Sequence, residues 1–115
     1  MRRHFKISKK EKTIKQLVSK TEKRVYVYLS DKETQEKFIS DAEAQGYTFE
    51  DGVKISERAS DNFYAVNRNH TVNFINGIGR MAFQAGADRI VRIDYRKYIS
   101  GAEDYFYNRN RTANY

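Results

Sequence analysis

Residues 63–95 read FYAVNRNHTVNFINGIGRMAFQAGADRIVRIDY, and their reading decides the fold. Two short runs of alternating apolar and polar residues flank an Asn-Arg-Asn-His segment, which predicts a β-hairpin. With Arg68-Asn69 as the turn, Ala65 faces Val72 and Phe63 faces Phe74 on one side, with Tyr64, Val66, Thr71 and Asn73 on the other. Asn69 takes the left-handed position in that reading. Asn76 then caps a helix over 77–85 that turns Ile78, Met81, Ala82 and Ala85 inward and ends at Gly86. A strand over 89–95 follows, with Val91, Ile93 and Tyr95 inward and Ile90, Arg92 and Asp94 outward. If that strand continues, Arg92 and Arg96 share a face.

On the N-terminal side, residues 47–50 alternate as a short strand. Asp51-Gly52 has hairpin-turn chemistry, but a two-residue loop there places Tyr47 and Phe49 on one face with Lys54 and Ser56. Burial fixes register, so 51–61 is read as a loop. Ser30 and Glu33 form a capping box for a helix over 31–45, with Phe38, Ile39 and Ala42 buried and Gly46 as its left-handed stop. Its outer face is acidic. Residues 24–30 alternate as a strand apolar or aromatic on both faces, and therefore internal to the sheet or covered on its second face by the N-terminal helix. Ser8 and Glu11 form a second capping box, opening a lysine-rich helix over 9–22 docked by Ile14, Leu17 and Val18.

These elements predict one α+β domain over 1–115. Its core is a mainly antiparallel sheet of four or five strands with two packed helices and a basic N-terminal helix. Residues 1–23 form a basic segment, 24–101 the α+β body, and 102–115 an aromatic, basic tail.

Composition removes several classes of function. The chain has no cysteine and only His4 and His70, both isolated, so neither a disulfide scaffold nor a zinc site is expected. No apolar run reaches membrane-spanning length, and no apolar stretch follows the basic N-terminus as in a secretory signal, so a cytoplasmic protein is expected. The formal net charge is +7. Residues 1–24 carry ten Lys/Arg against two acids, and the remaining residues sum to −1. That asymmetry points to a polyanion or an acidic protein surface as partner.

Gly77-Ile78-Gly79-Arg80-Met81-Ala82 matches the G-x-G-x-x-A pattern that holds a pyrophosphate at a helix N-terminus. The helix is too short for a βαβ unit of about 30 residues, no second half follows, and the preceding strand belongs to a hairpin. A plain anion site on Gly77, Gly79 and Arg80 is the reading that survives, beside one in which the glycines only allow close packing. Arg80, Arg89, Arg92, Arg96 and Lys97, with Tyr64, Tyr98 and the tail aromatics, form a candidate basic and aromatic patch. Arg2, Arg3, Lys6, Lys9, Lys10, Lys12, Lys15 and Lys20 are the candidate contacts of the N-terminal segment. No nucleophile–base pairing or paired carboxylates suggest catalysis, and no cofactor is expected.

The runs ETQEKFISDAEAQGYTF, FYAVNRNHTVNFINGIGRMAFQAG and RIVRIDYRKYISG together resemble small proteins carried by phages and integrative elements of Firmicutes, over roughly 24–101. The resemblance implies a mobile-element setting, in which small single-domain proteins often inhibit host defence, anti-CRISPR proteins among them. It implies a non-enzymatic inhibitor that binds a CRISPR-type effector or its nucleic-acid channel. A DNA- or RNA-binding regulator and a small nucleotide-binding protein are the alternatives. It assigns no functional residues.

Overall fold

A computed structural model describes residues 12–107. Helix α1 (Ile14–Ser19) leads into strand β1 (Arg24–Tyr28), followed by helix α2 (Lys32–Ala44) and strand β2 (Thr48–Phe49). After a 3-10 turn at Ile55–Glu57 come β3 (Phe63–Val66), β4 (Thr71–Phe74), helix α3 (Gly77–Ala85), β5 (Ile90–Asp94) and helix α4 (Tyr95–Ile99). The strands form one sheet in the order β2-β4-β3-β1-β5. The α+β class is as expected, but the sheet is mixed. β2 pairs with β4 and β1 with β5 in parallel, while β3 is antiparallel to both its neighbours. β3 is therefore the only reversed strand of the five.

That topology decides where the helices go. β1–α2–β2 and β4–α3–β5 both connect strands running the same way, and such crossovers share one hand. The two travel in opposite directions along the sheet, so their helices must lie on opposite faces. α2 accordingly packs on the face carrying Val25, Val27, Tyr64 and Val66, where Phe38 stacks on Tyr64 at 5.3 Å and meets Tyr95 edge-on at 5.2 Å. α1 and α4 join it through Ile14, Leu17, Val18, Tyr95 and Tyr98, completing the main core. α3 packs on the other face, where Phe83 lies 4.8 Å from Phe63 and 6.4 Å from Tyr28. Burying a side chain such as Phe38 or Phe83 fully stabilises by about 1.5–3 kcal/mol, and each is 0% exposed.

Several local expectations are corrected. The hairpin pairs Tyr64 with Phe74, Ala65 with Asn73 and Val66 with Val72, one residue away from the expected register. The loop is Arg68-Asn69-His70, closed by the Asn67 N–H on the Thr71 carbonyl at 2.9 Å, and His70 takes the left-handed conformation at φ 66° in place of Asn69. A three-residue loop of this kind needs a left-handed residue at its third position. The extra residue moves Tyr64 and Val66 into the core. α3 buries Gly79 and Phe83, while Ile78 and Met81 are 75% and 71% exposed, opposite to the expected face. Phe83 is the largest side chain of that helix and dictates its roll. α2 is capped by Asp31, which accepts the Thr34 N–H at 2.8 Å, and not by Ser30.

Within the described residues the N-terminal helix is Ile14–Ser19, shorter than 9–22. Thr13 and Gln16 form its capping box, with bonds of 3.1 and 3.2 Å. The Ser8–Glu11 box lies outside the described residues. β5 ends at Asp94, which caps α4, so Arg96 is helical and does not share a strand face with Arg92. Tyr105–Tyr107 pack along β5: the Asp94 N–H donates to the Tyr105 carbonyl and the Tyr107 N–H to the Arg92 carbonyl, at 2.8 and 3.0 Å.

Candidate nucleic-acid interface

α1 is short, and three of its six residues, Ile14, Leu17 and Val18, are buried. They fix its roll and leave Lys15 exposed. Its start is tied to α4 by Tyr98, whose hydroxyl donates to the Thr13 carbonyl at 2.8 Å. Burial, and then the neighbouring Tyr105, push the Tyr98 hydroxyl up to about 12, so it stays a donor at any ordinary pH. Tyr98 meets Tyr105 edge-on at 5.0 Å.

Lysines from both ends of α1 rest on this tyrosine pair. Lys12 Nζ lies 5.9 Å from the Tyr98 ring and Lys20 Nζ 5.5 Å from the Tyr105 ring, also donating to its hydroxyl at 3.3 Å. Exposed cation–π contacts of this kind contribute about 0.5–1 kcal/mol each, which orders long side chains without neutralising them. Lys97 is exposed on α4 nearby, and the tail adds Glu103 and Asp104. The arrangement holds ammonium groups out toward phosphates, while Tyr98, 1% exposed, supports a lysine and offers no ring face to a base.

Of the predicted site residues, Lys12, Lys15 and Lys20 come together at this end. Arg2, Arg3, Lys6, Lys9 and Lys10 lie outside the described residues. Arg80 is on the second face, bonded by one guanidinium nitrogen to both oxygens of Asp61 at 2.7 and 2.9 Å and sitting over Phe63 at 4.8 Å. Arg92 lies over Phe83 and Tyr107 and donates to the Phe83 carbonyl at 2.8 Å. Arg96 pairs with Asp31 at 3.0 Å, and Asp31 is held below the ordinary carboxylate range, first by its bonds to Thr34. Gly77 opens α3, and the Gly79 N–H is donated to Asn76 Oδ1 at 2.8 Å. Gly79 and Arg80 thus both have protein partners where an anion was expected.

The acidic face of α2 makes no ion pair with α1 among the described residues. Lys37 bonds Asp41 at 3.0 Å, and the Asp41 carboxylate also accepts the Tyr95 hydroxyl at 2.6 Å. Glu43 accepts the Ser56 N–H at 2.8 Å and is lowered by it. Among the described residues no group of three His, Cys, Asp or Glu is placed to hold a metal, and no helix is long and apolar enough to cross a membrane.

Charge is divided between the folded body and the chain's ends. Residues 12–107 hold 15 Lys/Arg and 14 Asp/Glu, a net of +1. Residues 1–11, with five Lys/Arg and one acid, join that body at Lys12, beside the tyrosine pair. Sequence reasoning missed Tyr105 as the support of Lys20; the two are 85 residues apart, and only docking of the tail on β5 joins them. It left Arg68 out as a contact and did not foresee that strand order gathers Lys23, Arg24, Arg68 and Arg89 at one end of the sheet. No family model, curated protein or solved structure matches the chain.

Proposed function

We propose that this is a non-enzymatic binding protein that engages nucleic acid, held in or entering a nucleic-acid-handling complex, through its lysine–tyrosine end. The observation that carries the reading is the placing of Lys12 and Lys20 on the Tyr98–Tyr105 pair, at the point where the most basic part of the chain joins a nearly neutral body. Cations held over aromatic rings on a rigid support suit a phosphate backbone better than a general acidic surface. In the mobile-element setting implied by the sequence resemblance, such a protein acts as an inhibitor of a host defence effector, of the anti-CRISPR kind.

The test is capture of host proteins on the immobilised protein, with and without nuclease, followed by cleavage assays on any effector recovered. A nuclease-sensitive or stable effector complex that loses cleavage supports the reading. Lys12→Glu, Lys15→Glu and Lys20→Glu combined should then restore cleavage. Failure to retain either nucleic acid or an effector at low salt sinks it.

A further inference from the structure

The second face of the sheet is covered unevenly. Under α3 it is aromatic, with Tyr28, Phe63, Phe83 and Tyr107 in mutual contact. Toward the tip of the β3–β4 hairpin it becomes polar. Alternation and register place Arg24, Tyr26, Asn67, Thr71 and Asn73 on this face, flanking the small Ala65, and each of the five is half-buried or exposed. Arg24 lies over the Tyr26 ring at 5.7 Å. Asn67 Nδ2 donates to Thr71 Oγ1 at 3.0 Å and Asn73 Oδ1 at 2.7 Å. Among the described residues Asn67 Oδ1 and Asn73 Nδ2 remain as an adjacent acceptor and donor, the complement of a base edge.

Cations from three separate loops meet at this end. The Arg24 N–H donates to the Arg89 carbonyl at 3.4 Å. Arg68, in the hairpin loop, donates to the carbonyls of Thr21 and Lys23, the latter at 3.1 Å. Lys23, Arg24, Arg68 and Arg89 are all exposed, and none makes an ion pair among the described residues. Glu22 and Asp88 are the carboxylates in these loops, leaving the cations in excess.

We infer that a single strand of nucleic acid crosses this open corner, with a base stacked on the Arg24–Tyr26 pair, its edge read by Asn67 and Asn73, and its phosphates met by Lys23, Arg68 and Arg89. An aromatic–arginine stack and amide groups on the sheet face, with unpaired cations in the loops at its end, supply the three contacts such a strand needs, while a paired duplex hides its base faces. The inference rests on the polyanion reading above for the class of partner, and places the contact on different residues.

The experiment is fluorescence anisotropy of labelled oligo-dT, oligo-U and a short duplex across a salt series, on the full chain. Three proteins are compared: the native chain, the combined Lys23→Glu, Arg24→Glu, Arg89→Glu variant, and the combined Lys12→Glu, Lys15→Glu, Lys20→Glu variant. Native protein should bind at least one single strand tighter than the duplex. Loss of the two phosphate contacts at Lys23 and Arg89 should reduce the slope of log affinity against log salt by about 1.4, at about 0.7 per contact on a single strand. Arg24→Ala alone, at an exposed position, should weaken binding about 5-fold or more if it forms half of a stacking surface. If the sheet-end variant keeps native affinity and slope while the α1 variant loses binding, this inference fails and the functional reading stands. Equal or tighter binding of duplex also overturns it. If native protein binds none of the three at low salt, this inference fails, and the functional reading is then decided by the capture of an effector.

Discussion

The glycine pair that imitates a cofactor fingerprint can be tested without any cofactor. Gly79 is the third residue of α3 and lies against the sheet. A Cβ added there would sit 2.5 Å from Ile75 Cγ2 and 3.4 Å from both Asn76 Oδ1 and Tyr26 Oη. Favourable carbon contacts begin at about 3.5 Å, so the first overlap is about 1 Å deep. The Ile75 methyl cannot swing away cheaply, because a β-branched side chain is stiff at χ1 and Ile75 is only 5% exposed. α3 must therefore lift from the sheet or Ile75 must leave its rotamer, at about 1–3 kcal/mol. The better helix propensity of alanine returns at most about 1 kcal/mol. Gly79→Ala should thus lose about 1–2 kcal/mol and melt about 4–15 °C lower. Gly77→Ala is the control: nothing lies within 4 Å of its Cβ position, and its melting temperature should be unchanged or higher. Thermal unfolding followed by circular dichroism measures both. If Gly79→Ala melts with or above Gly77→Ala, the close-packing account is refuted, and a glycine kept for ligand approach becomes the better explanation.

Two other outcomes follow from the buried tyrosines. Tyr64 is fully buried and its hydroxyl has no hydrogen-bond partner among the described residues, so Tyr64→Phe should stabilise by about 1 kcal/mol; Tyr95→Phe removes the donor to Asp41 and should cost about 1.5–3 kcal/mol. Denaturant melts of the two variants should move in opposite directions. Burial raises the hydroxyls of Tyr98, to about 12, and of Tyr95, still further. A raised folded-state pKa gives stability that is complete below the unfolded value of about 10 and lost as pH climbs through the folded one. The melting temperature should therefore fall above pH 10, with these tyrosines ionising only as the protein unfolds; ionisation of every tyrosine in the folded protein near pH 10 would contradict the burial.

Element type was legible wherever local chemistry is strong. Asn76 and Gly86 bracket α3, Gly46 follows α2 at φ 87°, and Val25 and Val27 alternate into the core. Strand direction was not, because parallel pairing depends on which distant strands meet, and no local residue encodes that. The hairpin register failed for a smaller reason. Asn69 and His70 both tolerate a left-handed conformation, so the residue types could not say where the loop ends. The site was legible as charge and not as geometry. Lys12 and Lys20 stood out as part of a basic run, but Arg80 and Arg92 proved to be occupied by Asp61 and the Phe83 carbonyl. Arg24, Arg68 and Arg89 had no sequence pattern in common. Their meeting is set by the strand order alone.

The open corner follows from the length of α3. Nine residues make a helix about 13 Å long. The three strand spacings from β4 to β5 take about 14 Å, before any travel along the strands. Because β4 and β5 run the same way, the connection must also pass from the Phe74 end of one to the Ile90 end of the other. A helix this short follows that diagonal once, seating Phe83 over Phe63 and Tyr28. It leaves the corner with Asn67, Thr71 and Asn73 only half-buried. A longer helix would cross more of the face and bury those polar side chains at a cost, so the short crossover and the polar corner are compatible only with each other. The surface available for a partner is thereby fixed by the same topology that puts α2 and α3 on opposite faces.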